Sequence, residues 1–152
     1  MKIVDYNDKF GNAFERLNRE WLEKYFRVEE IDREMLSDPQ TNIIDPGGAI
    51  LYALSGADVM GTVALKRQGD GIYELTKMAV TQSAQGKGAG RLLLHAALAR
   101  FRALHGKTLY LESHSSLRAA LTLYESAGFV REPSPAPSEY ERADVYMVYR
   151  PD

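Results

Sequence analysis

The chain contains no cysteine. Disulfides, thiolate metal ligands and a covalent acyl-cysteine intermediate are therefore excluded. No apolar run approaches the roughly 20 residues that a membrane-crossing helix needs. The opening residues, Met1 to Tyr6, are too polar for a secretory leader, so a cytoplasmic protein with no membrane partner is expected. Excess charge of one sign is also missing: 19 Lys and Arg face 21 Asp and Glu, for a net charge of −2. No broad basic field exists to hold nucleic acid, and no nucleic-acid partner is expected. Internal repeats and interdomain linkers are absent too. The proline-rich run from Pro133 to Pro137 is followed by strand-forming residues, which makes it a loop inside one domain spanning 1–152.

What is present alternates between strand and helix periodicities. Ile3 to Tyr6 reads as a short strand, with Asn7 and Asp8 as candidate helix caps. Phe10, Phe14, Leu17, Trp21 and Tyr25 form a helical stripe that reads as a core-facing helix; the sharper reading makes its aromatic end, Trp21 to Arg27, part of an acceptor pocket. Glu29 to Leu36 is a second helix, with Ile31 and Met35 buried; the acids Glu29, Glu30, Asp32 and Glu34 are expected to be a solvated face, with attraction of a cationic amine as their other reading. Asp38 to Gly48 reads as a loop. Ala49–Leu54, Val59–Lys66 and Ile72–Val80 read as an antiparallel meander joined by glycine-bearing turns. A helix with Leu94, Ala97, Leu98, Phe101 and Leu104 on one stripe crosses over to a strand at 107–113, parallel to the preceding one. Ser115 or Ser116 is expected to cap a last helix, which Gly128 ends. Strands at Phe129 and at 145–150 complete a mixed, mostly antiparallel sheet of about seven strands flanked by about four helices. The class is α/β.

The segment between the third meander strand and the crossover helix carries the sharpest signal. Gly86, Gly88 and Gly90 lie within five residues, with Lys87 among them and Arg91 after them. Glycine lets a chain turn sharply and bring its amides close to a ligand. The first N–H groups of a helix lack intrahelical partners, and the helix dipole adds positive potential there. Together with Lys87 and Arg91 this makes a phosphate or pyrophosphate site; a glycine-rich turn with no ligand is the competing reading. The Walker loop does not match, because Gly88 stands where Ser or Thr would hold magnesium. The dinucleotide fingerprint does not match either, since its third glycine arrives one residue early.

Gln85-x-x-Gly88-x-Gly90 resembles the coenzyme A pyrophosphate loop of the GNAT family of N-acetyltransferases. Leu123-Tyr124-Glu125-Ser126-Ala127-Gly128-Phe129 resembles a second motif of that family, and the two occur in the family's order. The resemblance implies the GNAT-type acyl-CoA N-acyltransferase fold, with the sheet splayed to admit the cofactor. It implies acetyl-CoA as acyl donor, an amine acceptor and no metal. The loop Gln85, Gly86, Lys87, Gly88, Ala89, Gly90 and Arg91 would hold the pyrophosphate, and the backbone of Met78, Ala79 and Val80 would pair with the pantetheine arm. Tyr124 would lie beside the departing thiolate as general acid; packing on the helix stripe is its other reading. One departure is Leu117, where many members carry asparagine seven residues before the motif tyrosine. Homodimers are common in the family, and the resemblance admits one here.

An alkyl amine has a pKa near 10.4, so a base is useful near neutral pH. Glu74 is the first candidate, being expected by strand alternation on the same face as Met78 and Val80. Glu112 and His114, at the end of the fifth strand, come next. His95 and His105 lie on the crossover helix and read as structural or exposed. Without cysteine, direct attack of the amine in a ternary complex is expected. The alternative is a relative of the same fold that binds CoA as a sensor or regulatory protein, without turnover.

Overall fold

In the computed structural model, which describes residues 1–151, the elements follow the expected order. They are β1 (Lys2–Asp5), α1 (Ala13–Tyr25), α2 (Glu30–Ser37), β2 (Ala49–Ser55), β3 (Asp58–Gly69), β4 (Ile72–Val80), α3 (Ala89–Ala103), β5 (Thr108–Ser113), α4 (Arg118–Ser126), β6 (Phe129–Arg131) and β7 (Val145–Tyr149). The strands form one seven-stranded sheet in the order β1-β2-β3-β4-β5-β7-β6. All neighbours are antiparallel except β4 and β5.

The sheet has a covered face on each side. On one, α3 lays Leu93, Leu94, Ala97, Leu98 and Phe101 against Leu51, Val63, Leu65, Tyr73 and Leu75, all buried. Burying a leucine side chain contributes about 1.5–3 kcal/mol, so this stripe supplies much of the anchor for the helix whose start carries the glycine loop. On the other face α1 and α2 place Phe14, Leu22, Met35 and Leu36 over Ile50, Tyr52 and Ala64.

Two features of β4 position the site. First, β4 pairs with β5 only from Ile72 to Glu74, against Thr108 to Tyr110. Beyond that point β5 continues along β7 as far as Ser113, while β4 continues along β3 to Val80. The sheet therefore parts, and the edge of β4 from Leu75 onward has no strand beside it on the β5 side. Second, β4 carries a bulge: Ala64 pairs with Thr76 and Thr62 with Ala79, so Lys77 and Met78 together oppose Val63. Lys77 has φ +55°, a left-handed conformation uncommon outside glycine.

The bulge corrects the expectation for Glu74. An extra residue reverses the alternation along a strand. Glu74 pairs with Lys66, on the face that α1 and α2 cover; Val80 pairs with Gly61, where an added Cβ would meet Leu93 of α3. Glu74 and Val80 thus point to opposite faces.

Local expectations fail in three further places. Asn7 caps only a short 3-10 turn at Asp8–Phe10, so Phe10 precedes α1. A π-helical turn, Gln40–Ile44, interrupts the loop before β2 and buries Ile43. Ser115 and Ser116 do not cap α4, whose N-cap position is Leu117. Their hydroxyls are taken instead by Asp144 and by His114. At the other end of α4, Gly128 adopts φ +110° directly after the cap residue, as a helix-ending glycine does.

Candidate active site

The glycine loop follows a 3-10 turn at Gln82–Ala84. The N–H groups of Gln85 and Lys87 donate back to Gln82 and Ala84 within that turn. Those of Gly86, Gly88, Ala89, Gly90 and Arg91 donate to no backbone carbonyl among the described residues. Gly86 and Gly88 have φ +78° and +86°, which side chains other than glycine rarely adopt, and a Cβ at either would meet nothing within 4 Å. The loop is thus an open cradle of amides at the start of a 15-residue helix. Lys87 and Arg91 beside it are exposed and make no ion pair among the described residues. A diphosphate fits this donor set.

From the loop, a cavity of about 190 Å³ enters the gap between β4 and β5. Gln85, Met78, Val80 and Tyr124 line it from the loop side, Glu74 and Glu112 from the point where the strands part, and Trp21 and Phe26 from the end of α1. Sequence reasoning expected the aromatic end of α1 in a pocket wall. Trp21 and Phe26 are there; Tyr25 is exposed. Leu117 also lines this cavity, so the missing asparagine is replaced by an apolar surface.

Tyr124 is half-buried, packs its ring edge-on to Phe129, and makes no hydrogen bond among the described residues. Burial pushes its phenol up to about 12, so it keeps its proton near neutral pH. Glu74 is buried, and its one polar partner among the described residues is Gln68 Nε2, at 3.1 Å from Oε1. Burial pushes its carboxyl up to about 7, and nearby Glu112 adds to this; the Gln68 hydrogen bond, Lys77 and Lys66 oppose it. A carboxyl poised near neutrality can take up and release a proton. Glu112 is half-buried and accepts from Ser138 Oγ at 2.6 Å. His114 reaches the cavity mouth but is tied to Ser116 Oγ through Nδ1, with Asp144 at 3.6 Å from Nε2. His95 and His105 are exposed, away from the site.

Sequence reasoning missed the charged cluster behind the cavity. Asp32 and Glu29 are buried rather than solvated. Arg142 grips both oxygens of Asp32 at 2.8 and 2.9 Å and reaches Glu29 at 2.9 Å. Lys77 Nζ lies 2.5 Å from Asp32 Oδ1 and 3.3 Å from the Tyr140 hydroxyl. The Tyr140 ring is flanked by both cations, with centroid distances of 4.7 Å to Lys77 and 4.6 Å to Arg142. Burial lowers Lys77, against the pull of Asp32. Lys77 stands in a strand that also holds Glu74 and Thr76, and its partners come from α2 and from the loop before β7, far away in the chain.

A second cavity, of about 420 Å³, lies between the sheet and the cover made by α2 and the 132–144 loop. It shares Glu74, Glu112 and Tyr140 with the first. Among the described residues no cluster of His, Cys, Asp and Glu has the arrangement of a metal site, and no helix is long and apolar enough to cross a membrane.

A seven-stranded sheet parted beside a glycine-led helix is the architecture of acetyl-CoA-dependent acyltransferases, and the profile of the Acetyltransferase (GNAT) family matches residues 14–129. The chain belongs to that family. Over 101 residues it is 29% identical to the uncharacterized N-acetyltransferase YvbK of Bacillus subtilis (strain 168); the match spans 64% of this chain and 65% of that relative's length. Its backbone resembles that of a GNAT-family acetyltransferase from Staphylococcus aureus Mu50, with a TM-score of 0.86, 18% identity and 99% of both chains covered. It also resembles the Salmonella typhimurium protein yncA, solved with its cofactor acetyl-CoA, with a TM-score of 0.76, 22% identity, and 100% of this chain and 94% of that one covered. At such identities these structures establish the shared GNAT fold.

Proposed function

We propose that the protein is an N-acetyltransferase that uses acetyl-CoA to acetylate an amine by direct attack in a ternary complex. The observation that carries this reading is the cavity in the parted sheet, which runs from Gln85, the residue before the open amide cradle, to a protonated phenol and a carboxyl poised near neutrality. Family membership and the acetyl-CoA bound by the Salmonella relative support the same donor.

The residues present fit that donor. The cradle admits a diphosphate, the unpaired edge of β4 at Met78, Ala79 and Val80 admits an extended arm, and Leu117 offers an apolar side. When bound, acetyl-CoA supplies the acetyl group as a thioester open to attack by a neutral amine. Glu74 takes the proton of the acceptor ammonium, directly or through water. Backbone N–H groups of β4 at the gap stabilise negative charge on the carbonyl oxygen, a contribution of about 3–4 kcal/mol for a well-aimed donor. Tyr124 gives its proton to the leaving sulfur and is reprotonated from solvent. Glu112 keeps a second carboxylate beside Glu74 and so helps to hold its pKa up.

Calorimetric titration with acetyl-CoA, against ATP and NAD, tests the donor. Thiol release on adding amines tests turnover. Selective acetyl-CoA binding with amine-dependent thiol release is expected. Binding with no turnover on any amine would favour a CoA sensor, and no binding by the folded protein would remove the reading.

A further inference from the structure

Glu74 marks the boundary between two cavities that lead away in different directions. The first runs to the amide cradle; the second runs out beneath α2 and the 132–144 loop. If the donor occupies the first, the second is the approach left to the acceptor. Its walls have a definite chemistry. Tyr110 and Tyr146 stack at 5.5 Å and present their rings, and Glu74, Glu112 and Glu139 supply three carboxyl groups against the single ammonium of Lys66. Among the described residues, none of these three acids makes an ion pair. Glu74 is moreover buried, with a single partner on one of its two oxygens.

Glu139 also borders a third depression, where Glu30, Glu34 and Glu141 converge; Arg27 lies there too but is paired with Glu141, and Glu30 is paired with Arg33. Glu139 and Glu34 are left without an ion pair among the described residues on the approach from solvent to Glu74. An acceptor bearing a carboxylate would meet three carboxyl groups and Lys66 as the one cation lining the cavity, because the two cations near the reacting end, Lys77 and Arg142, are already held by Asp32 and Glu29.

We infer that the second cavity is the acceptor channel and that it selects an aliphatic amine carrying a second ammonium group, with the reacting nitrogen at Glu74 and the distal ammonium at Glu139. This inference rests on the acetyltransferase reading above. In the transfer, the bond from the acceptor nitrogen to the acetyl carbonyl carbon forms and the carbon–sulfur bond of the thioester breaks. The ammonium proton goes to Glu74 before attack, the second nitrogen proton leaves to solvent as the adduct collapses to the amide, and the Tyr124 proton goes to the sulfur. The stacked tyrosines flank the methylene chain and attract its charged ends, and Glu139 holds the distal charge without touching the reacting atoms.

Short α,ω-diaminoalkanes and n-alkylamines of matching length, compared as acceptors and as ligands, provide the test. The wild-type protein is expected to show a kcat/KM about threefold higher for the diamine, mainly through KM, because Glu139 is exposed and an ion pair there is screened by solvent. Glu139→Gln should abolish most of that preference by raising KM for the diamine rather than lowering its kcat; Glu139 is exposed, so the variant is expected to fold. Titration of the diamine into the protein without acetyl-CoA reads the channel alone. Equal use of the two amines, a preference that survives Glu139→Gln, or turnover confined to acceptors bearing a carboxylate would overturn the inference while leaving the acetyltransferase reading intact. Loss of acetyl-CoA binding itself would instead count against that reading.

Discussion

Asp32 and Glu74 are both buried carboxyl groups on the same side of the sheet, and they behave in opposite ways. Burial alone would raise both. At Asp32 the hydrogen bonds from Arg142 and Lys77, with the charge of Lys77, overcome burial and hold the carboxyl at about 2. At Glu74 one amide hydrogen bond and more distant lysines do not overcome it, and Glu112 works against ionisation, so the carboxyl sits at about 7. A saturated carboxylate is fixed in one charge state and serves the architecture; a partly satisfied one can exchange a proton near neutral pH and serves chemistry. The same distinction separates the cluster of Glu29, Asp32, Lys77 and Arg142 from the loose group of Glu74, Glu112 and Glu139.

The largest break in that contrast should come from Asp32→Asn. Removing one partner leaves the charges of Lys77 and Arg142 buried and undercompensated, at a cost of about 3–5 kcal/mol. Thermal or urea unfolding at pH 7 reads this directly. The folded pKa of Asp32 lies below the ordinary unfolded value of about 3.9. Its stabilisation is therefore complete above about pH 4 and is lost as pH falls towards 2. Stability of the wild type, but not of Asp32→Asn, should show that acid-side loss.

Glu74→Gln should do the reverse to stability and the worse to activity. Turnover should fall about 100-fold or more, the range of a positioned acid–base group. The wild-type kcat/KM should rise with pH through about 7, as Glu74 loses its proton in a setting that also holds Glu112, Lys77, Lys66 and Tyr110. The variant should lack that limb; a pH profile with the limb retained would return Glu74 to a structural role. Because its folded pKa is raised, the contribution of Glu74 to stability is greatest below the unfolded value near 4.3 and declines as pH rises through 7. At pH 8 the variant should accordingly melt no lower than the wild type.

Tyr124→Phe tests the partner of Glu74. Turnover should drop about 10- to 100-fold while the acetyl-CoA Kd stays nearly constant, because a leaving-group proton acts only in the transition state. Wild-type turnover would assign Tyr124 to packing against Phe129. The smallest effect should belong to Gly88→Val. A β-branched side chain at φ +86° carries a strain of about 1–2 kcal/mol, and it occupies the open face of the cradle. Acetyl-CoA affinity should fall about tenfold or more, read by calorimetry. Unchanged affinity would remove the loop from the binding site.

Where partners are local, the chain was legible. Gly88 and Gly90 announce the start of α3, Gly128 announces the end of α4, and the stripe at Leu94, Ala97, Leu98 and Phe101 announces the face that α3 buries. In each case the cause lies within a turn or two of the residue itself. Alternation failed on β4, because a bulge at Lys77 leaves no mark in a run of β-forming residues, and with it went the assigned face of Glu74. The acids of α2 failed for a different reason. Glu29, Glu30, Asp32 and Glu34 look alike in sequence, but only Glu29 and Asp32 turn inward.

Sequence alone thus determined the order of the elements and the glycine-rich turn into α3, since these depend on backbone freedom and periodicity; periodicity put Tyr124 on the apolar stripe of α4, and only the motif resemblance pointed it to the site. Tertiary structure decided which carboxyl groups are neutralised, which one stays poised, and where the second cavity runs. Those outcomes depend on Arg142 and Tyr140 reaching across from a loop more than 100 residues beyond α2. The energy of a buried charge is set by what lies within a few ångströms of it in space, and no local pattern in the chain encodes that distance.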